Sequence, residues 1–185
     1  MPTMVKINGS PTQPSKTGIL INAIGDAVAR KMAIKSETIT LSEVAPEIMC
    51  GLTRPDVTNA GEQLLQLVER ANLLVIGTPV YRAAYTGVLK HFFDLVDRDA
   101  MRNRKAIVCA TGGSSMHALV IEHQLRPLMG FFAIQTVTTG LYGLSEDFAD
   151  GAVASPSLQD RIERAAGEAV DMLTSSFVRR PELVQ

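Results

Sequence analysis

Apolar residues along this chain fall into two rhythms, short unbroken runs and helical spacings, and their alternation predicts strands and helices in turn. Met4 to Ile7 is a short apolar strand ended by Asn8-Gly9-Ser10-Pro11. From about Thr17 to Met32, Ile19, Leu20, Ala23, Ile24, Ala27 and Val28 recur at helical spacing. Lys35 to Leu41 mixes β-branched and polar residues (Thr38, Ile39, Thr40), as a second strand should. The polar, proline-containing region Pro46 to Thr58 predicts a loop with a short turn. Gly61 to Arg70 predicts a helix with Leu64, Leu65, Leu67 and Val68 inward. Leu73 to Gly77 is a continuous apolar run, as in a strand buried on both faces. A loop from Thr78 to Thr86 leads into a helix from Gly87 to about Val96. Lys105 to Ala110 predicts the next buried strand, ended by Thr111-Gly112-Gly113-Ser114. A helix from His117 to Phe131 should bend or break at Pro127. Gln135 to Leu141 predicts a final strand, a flexible Ser/Asp/Gly stretch follows, and Pro156 to Phe177 predicts an amphipathic terminal helix.

Strands and helices in this order argue for an α/β fold: a five-stranded parallel sheet with helices on both faces, in the flavodoxin-like order. The 185 residues suit a single domain spanning 1–185, with no internal repeat or linker. At 46% hydrophobic and 20% charged, the chain is suited to a packed core. A net charge of −1 without a basic stripe argues against nucleic acid as partner. The sequence has no apolar run of transmembrane length and no signal-peptide layout after Met1, so no membrane is expected and a cytoplasmic home is. Cys50 and Cys109 lie far apart without CxxC spacing, which suits reduced thiols. His91, His117 and His123 lack metal-ligand spacing, so no metal site is expected.

In such sheets ligands bind beyond the carboxyl ends of the strands. Three predicted loops leave those ends. The first, Gly9 to Thr17, ends at a helix N-terminus, where free amides and the helix dipole favour an anion. Ser10, Ser15 and Thr17 add hydroxyls, Lys16 adds charge, and Gln13 lies between them. Neither a Walker A pattern nor GxGxxG is present, so one phosphate fits better than a pyrophosphate. A plain Ser/Thr-rich helix cap is the competing explanation. The second loop carries Pro79, Val80, Tyr81 and Arg82, whose main chain and tyrosine face suit the rim of a flat ring; a tyrosine packed on its neighbours is the alternative. The third, Thr111 to His117, has paired glycines that let backbone approach a ligand, or that merely serve a turn. His117 is either a ligand contact or a helix-start residue.

Taken together, Gly9-Ser10-Pro11 with Ser15-Lys16-Thr17, then Thr78-Pro79-Val80-Tyr81-Arg82 through Tyr85-Thr86-Gly87-Val88-Leu89-Lys90, then Ala110-Thr111-Gly112-Gly113-Ser114, resemble the NAD(P)H-dependent FMN reductases. The stretch His117 to Pro127 is similar to the branch that serves two-component alkanesulfonate and methanesulfonate monooxygenases. The resemblance runs from about Met4 to Tyr142, and Pro79 to Lys90 is its most specific part. It implies a flavodoxin-like fold, FMN with NADPH or NADH, a homodimer or homotetramer, and a flavin-dependent monooxygenase as partner. By position, Ser10, Ser15 and Thr17 would hold the phosphate. Pro79, Val80, Tyr81 and Arg82 would border the ring, and Thr111, Gly112, Gly113 and Ser114 would close its other edge. Some relatives carry a tyrosine where His123 stands, on a helix with an inserted residue at an oligomer interface. The implied reaction is hydride transfer from nicotinamide to flavin, which needs stacking rather than a catalytic side chain. An FMN-retaining quinone or azo reductase and a non-catalytic flavodoxin-like electron carrier are the competing functions.

Overall fold

The computed structural model describes residues 1–178. Strands β1 (Thr3–Asn8), β2 (Lys35–Thr40), β3 (Leu73–Pro79) and β4 (Lys105–Gly112) are all parallel and run β2-β1-β3-β4 across the sheet. The fifth place, beside β4, is shared by β5 (Gln135–Thr136) and β6 (Leu141–Leu144), both parallel to it. This is the flavodoxin-like order. Helices α1 (Lys16–Lys31) and α6 (Pro156–Val178) cover one face. Helices α3 (Asn59–Arg70), α4 (Gly87–Leu95) and α5 (Arg126–Phe131) cover the other. Two apolar clusters result. Val5 and Ile7 point into one with Leu65, Phe92 and Phe93, while Met4 points into the other with Leu20, Ile24 and Ile162. That alternation along β1 is the period-two signature of a strand buried on both sides. No helix of the described residues is long and apolar enough to cross a membrane.

Several elements differ from their sequence-based expectation. The region Pro46 to Thr58 contains a short helix, α2 (Ala45–Ile48), and a 3-10 turn (Arg54–Asp56), each with a proline in its first turn where the missing amide is not needed. The expected strand Gln135–Leu141 is split, because the chain leaves β4 after the Val137 amide bonds to Ala106 and rejoins it at Leu141. Side chains take over the backbone groups released there. Arg126 donates to the carbonyls of Val137 at 2.8 Å and Thr138 at 2.7 Å, and Arg161 donates to that of Gly140 at 2.5 Å. Glu168 accepts from the Thr139 amide at 2.8 Å and from its hydroxyl at 2.5 Å. The stretch expected to be flexible is a 3-10 turn (Ser145–Asp147) and a tight hairpin of β7 (Phe148–Ala149) and β8 (Ala152–Val153). Asp150 and Gly151 turn it with φ of 50° and 75°, the paired left-handed geometry that short hairpins need.

The expected helix His117–Phe131 is also not uniform. Ser115–His117 is a 3-10 turn, Ile121–Leu125 is a π-helical segment, and α5 follows. The Arg126 amide donates to the Ile121 carbonyl, the five-residue span of an inserted residue. His123 sits in the middle of this bulge, exposed, so the bulge forms with histidine where some relatives have tyrosine. Pro127 falls in the first turn of α5 and does not break the helix.

One ion network ties the α2 region to α3. Arg54 donates to Glu62 at 2.8 and 2.9 Å and to Glu69 at 2.5 Å, and Glu69 also accepts the Asp97 amide at 2.8 Å. The hydrogen bonds from Arg54, then Gln66, lower the Glu62 carboxyl from 4.5 to about 2. A carboxylate with a depressed folded-state pKa contributes stability above its unfolded value and loses it as pH falls through the folded one. The stability gap between the parent chain and Arg54→Ala is therefore expected to be constant near neutrality and to shrink between about pH 4.5 and about pH 2. Urea denaturation at a series of pH values measures it. A gap that stays constant down to the lower limit would remove the network from the acid response.

Candidate functional site

The parallel register brings the strand ends level. Asn8 is opposite Gly77, Pro79 is opposite Thr111, and Gly112 is opposite Leu144. The three loops that leave β1, β3 and β4 therefore meet at one rim.

The first loop is organised by Asn8, which is buried. Its carbonyl oxygen accepts the Ser10 amide at 3.1 Å, and its Nδ2 donates to Ser15 Oγ at 3.2 Å. Asparagine suits this place because its short side chain can stand in for a turn of backbone. Ser15 caps α1, accepting the Gly18 amide at 3.0 Å. Having accepted twice, the Ser15 hydroxyl keeps its own proton to donate. The first turn of α1 holds no acidic residue, and exposed Lys16 opens it with no ion pair among the described residues. Positive helix end, ammonium and free hydroxyl proton together suit an anion. Ser10 behaves differently: its hydroxyl donates to the Thr12 carbonyl at 2.9 Å and shapes the loop. Thr17 and Thr111 share a buried hydroxyl contact of 2.7 Å that ties the first loop to the third.

The second loop is anchored at both ends. The Val80 amide donates to the Thr111 carbonyl at 2.8 Å, and the Thr86 hydroxyl donates to the Gly9 carbonyl at 2.6 Å. Between them Tyr81 and Ala84 pair in both directions, at 2.9 and 3.1 Å, around a two-residue tip. The tip residues Arg82 and Ala83 have φ of 51° and 67°. Left-handed backbone at a residue with a Cβ costs on the order of 1 kcal/mol.

In the third loop Gly112 is required by its neighbour: a Cβ there would stand 2.1 Å from the Tyr142 hydroxyl. That hydroxyl donates to the Ser114 carbonyl at 2.7 Å, and burial pushes the Tyr142 phenol up, which keeps it a donor. Ser114 accepts the Met116 amide at 3.2 Å and caps the following turn.

The loops enclose an open cavity of about 360 Å³. The first loop contributes Ser10, Ser15, Lys16 and Thr17; the second Pro79, Val80 and Tyr81; the third Thr111, Gly112 and Gly113. Four sequence candidates are not on its wall. Gln13 turns to a separate groove along α1 with Asn22 and Asp26. Arg82 sits at the tip beyond Tyr81, Ser114 is drawn into the turn it caps, and His117 is exposed in that turn. Thr12, Pro14 and Ser145 line the cavity and were not singled out from sequence. Asn8 and Tyr142 shape it from behind. A signal existed for Asn8, an asparagine leading into Gly-Ser-Pro. Tyr142 reaches Ser114 across 28 residues and carries no local signal.

The family model for the NADPH-dependent FMN reductases matches residues 2–149. The NADH-dependent FMN reductase SfnE of Pseudomonas putida is 42% identical, over 96% of this chain and 95% of its own. The NADH-dependent FMN reductase SfnF of Pseudomonas fluorescens is 39% identical, over 91% and 90%. Among solved structures, an oxidoreductase from Corynebacterium diphtheriae superposes with a TM-score of 0.85 at 36% identity, covering 95% of this chain and 98% of that one. The strand order, the three converging loops and these likenesses agree: the chain belongs to the family of NADPH-dependent FMN reductases.

Proposed function

We propose that the rim cavity is where this chain carries out its family's reaction, the reduction of FMN by NADH or NADPH. What supports this is that groups suited to a phosphate and loop backbone suited to a ring edge line one cavity. At the anion site, the free Ser15 proton, the Lys16 ammonium and the α1 N-terminus suit a single phosphate monoester. Alongside it, Pro79, Val80 and Tyr81 share the wall with Gly112 and Gly113, and the open space beside Gly113 leaves room for a planar ring. When bound, FMN supplies the hydride-accepting chemistry. The chain's own part is to hold the phosphate through Ser15 and Lys16 at the α1 N-terminus, and to brace the loops through the Val80–Thr111 and Thr17–Thr111 bonds. Such braces matter because hydride transfer depends on close, aligned contact between the rings.

The reduced flavin goes on to a flavin-dependent monooxygenase acting on organosulfur compounds, and the chain works in the cytoplasm as one domain that forms a homodimer or homotetramer. Exposed Met116 and Leu119, just before the π-helical bulge, support a self-association face. The decisive experiment mixes the protein with FMN and either NADH or NADPH and follows absorbance at the nicotinamide band. FMN-dependent consumption of one or both is expected. Absence of consumption with both would overturn the proposal and leave an electron carrier as the better description.

A further inference from the structure

We propose that Arg82 is the cation that receives the phosphates of the nicotinamide dinucleotide, not a residue of the flavin pocket; this role rests on the reaction proposed above. Three observations lead there. Arg82 stands at the tip of the second loop, next to Tyr81 on the cavity wall, but does not line the cavity itself. Its guanidinium is exposed and makes no hydrogen bond or ion pair among the described residues. Its backbone is left-handed, φ 51°, and is followed by Ala83 at 67°, where glycine or asparagine would sit without strain.

The tip is also stiff. The two-way Tyr81–Ala84 pairing and the Val80–Thr111 bond hold its stem on the sheet edge, so the turn fixes the backbone from which this side chain projects. Strain kept in this way beside a cavity points to a task for the residue that bears it.

Charge accounting gives the task. Among the described residues Lys16 is the one basic side chain on the cavity wall, and it stands at the α1 N-terminus with the capping Ser15, where the proposed monophosphate takes it up. The second substrate brings at least two more phosphates. Its nicotinamide must stack on the bound ring, so those phosphates leave over the rim. Arg82 is the free cation at that rim on the second loop, and a guanidinium fork suits phosphate oxygens.

Steady-state kinetics of the full chain test this. Arg82→Ala is expected to raise KM for NADH and for NADPH by at least about tenfold, the worth of a hydrogen bond to a charged group. KM for FMN and kcat should stay within about twofold, and the difference from the parent should narrow as salt is added. Arg82→Gly removes the charge and relieves the backbone together, so it should reproduce the KM defect in a chain at least as stable. Arg82→Lys should recover part of the loss. An unchanged nicotinamide KM in both the alanine and glycine variants would overturn the assignment, as would an equal rise in the KM for FMN. A parent chain that oxidises neither nicotinamide would instead overturn the reaction itself.

Discussion

Replacing Ser15 with aspartate is expected to weaken FMN binding by at least about a hundredfold while leaving the fold intact. Aspartate is as good a helix cap as serine, so the Gly18 amide keeps its acceptor and α1 keeps its start. What changes is the proton. The serine hydroxyl accepts from Asn8 and Gly18 and has one donor left for a phosphate oxygen. A carboxylate has none, and adds a negative charge beside another. The lost charge-assisted bond is worth about 1.5–3 kcal/mol. Repulsion at an effective dielectric near ~20 adds several more at contact distance. Three kcal/mol is already about a hundredfold in affinity. Ser15→Ala provides the contrast: it loses the cap, at about 1 kcal/mol of stability, and about tenfold in FMN affinity. Riboflavin has no phosphate, so its binding should move by no more than about threefold in either variant. Flavin fluorescence titration reads the affinities and thermal unfolding reads the stability. If aspartate weakened riboflavin as much as FMN, the phosphate would have to sit elsewhere.

Local rules made much of this molecule legible. Leu73 to Gly77 and Lys105 to Ala110 announce buried parallel strands because both faces of such strands are covered, and both are found. Placing the site at the sheet's carboxyl edge followed from topology, and ten of the candidate residues share one cavity there. What sequence did not carry was set by contacts distant in the chain. Nothing within residues 135–141 shows that Arg126, Arg161 and Glu168 will hold a bulge open, since each reaches it from another element. Ser10 has the residue type of a phosphate ligand, yet its hydroxyl is committed to Thr12, and only the turn geometry reveals that. Arg82 is off the cavity wall for a related reason. In a two-residue hairpin tip with paired positive φ, the side chain leaves the path of Val80 and Tyr81, and sequence adjacency to a wall residue does not make another. The π-helical bulge is a difference of one residue in hydrogen-bond span, too small for hydrophobic periodicity to register.

Gly77→Ala is expected to be strongly destabilising and to damage the site with the fold. Gly77 lies in the middle of the sheet, under α1, and a Cβ there would be 2.5 Å from Ile21 Cγ2 and 2.9 Å from Thr17 Cγ2. Both neighbours are buried side chains on a helix that packs directly on the sheet with α6 alongside it, which leaves them little room to swing aside. Overpacking of this kind costs about 2–3 kcal/mol, or roughly 5–10 °C in Tm for a chain of this size. The damage should reach the site as well. Thr17 is in the first turn of α1, and the Gly77 carbonyl accepts the Gly9 amide at 2.8 Å, so lifting α1 disturbs the phosphate loop from two sides. FMN affinity is therefore expected to fall together with stability. A second substitution separates collision from a general weakness of the strand. Ile21→Ala alone leaves a hole and costs about 2–4 kcal/mol. In the double variant the new methyl enters that hole, so the combined loss should be smaller than the two single losses added, by about 1 kcal/mol or more. Strict additivity, or a Gly77→Ala chain as stable as its parent, would mean that α1 does not rest on β3 through this contact, and the placement of the phosphate loop would need another cause.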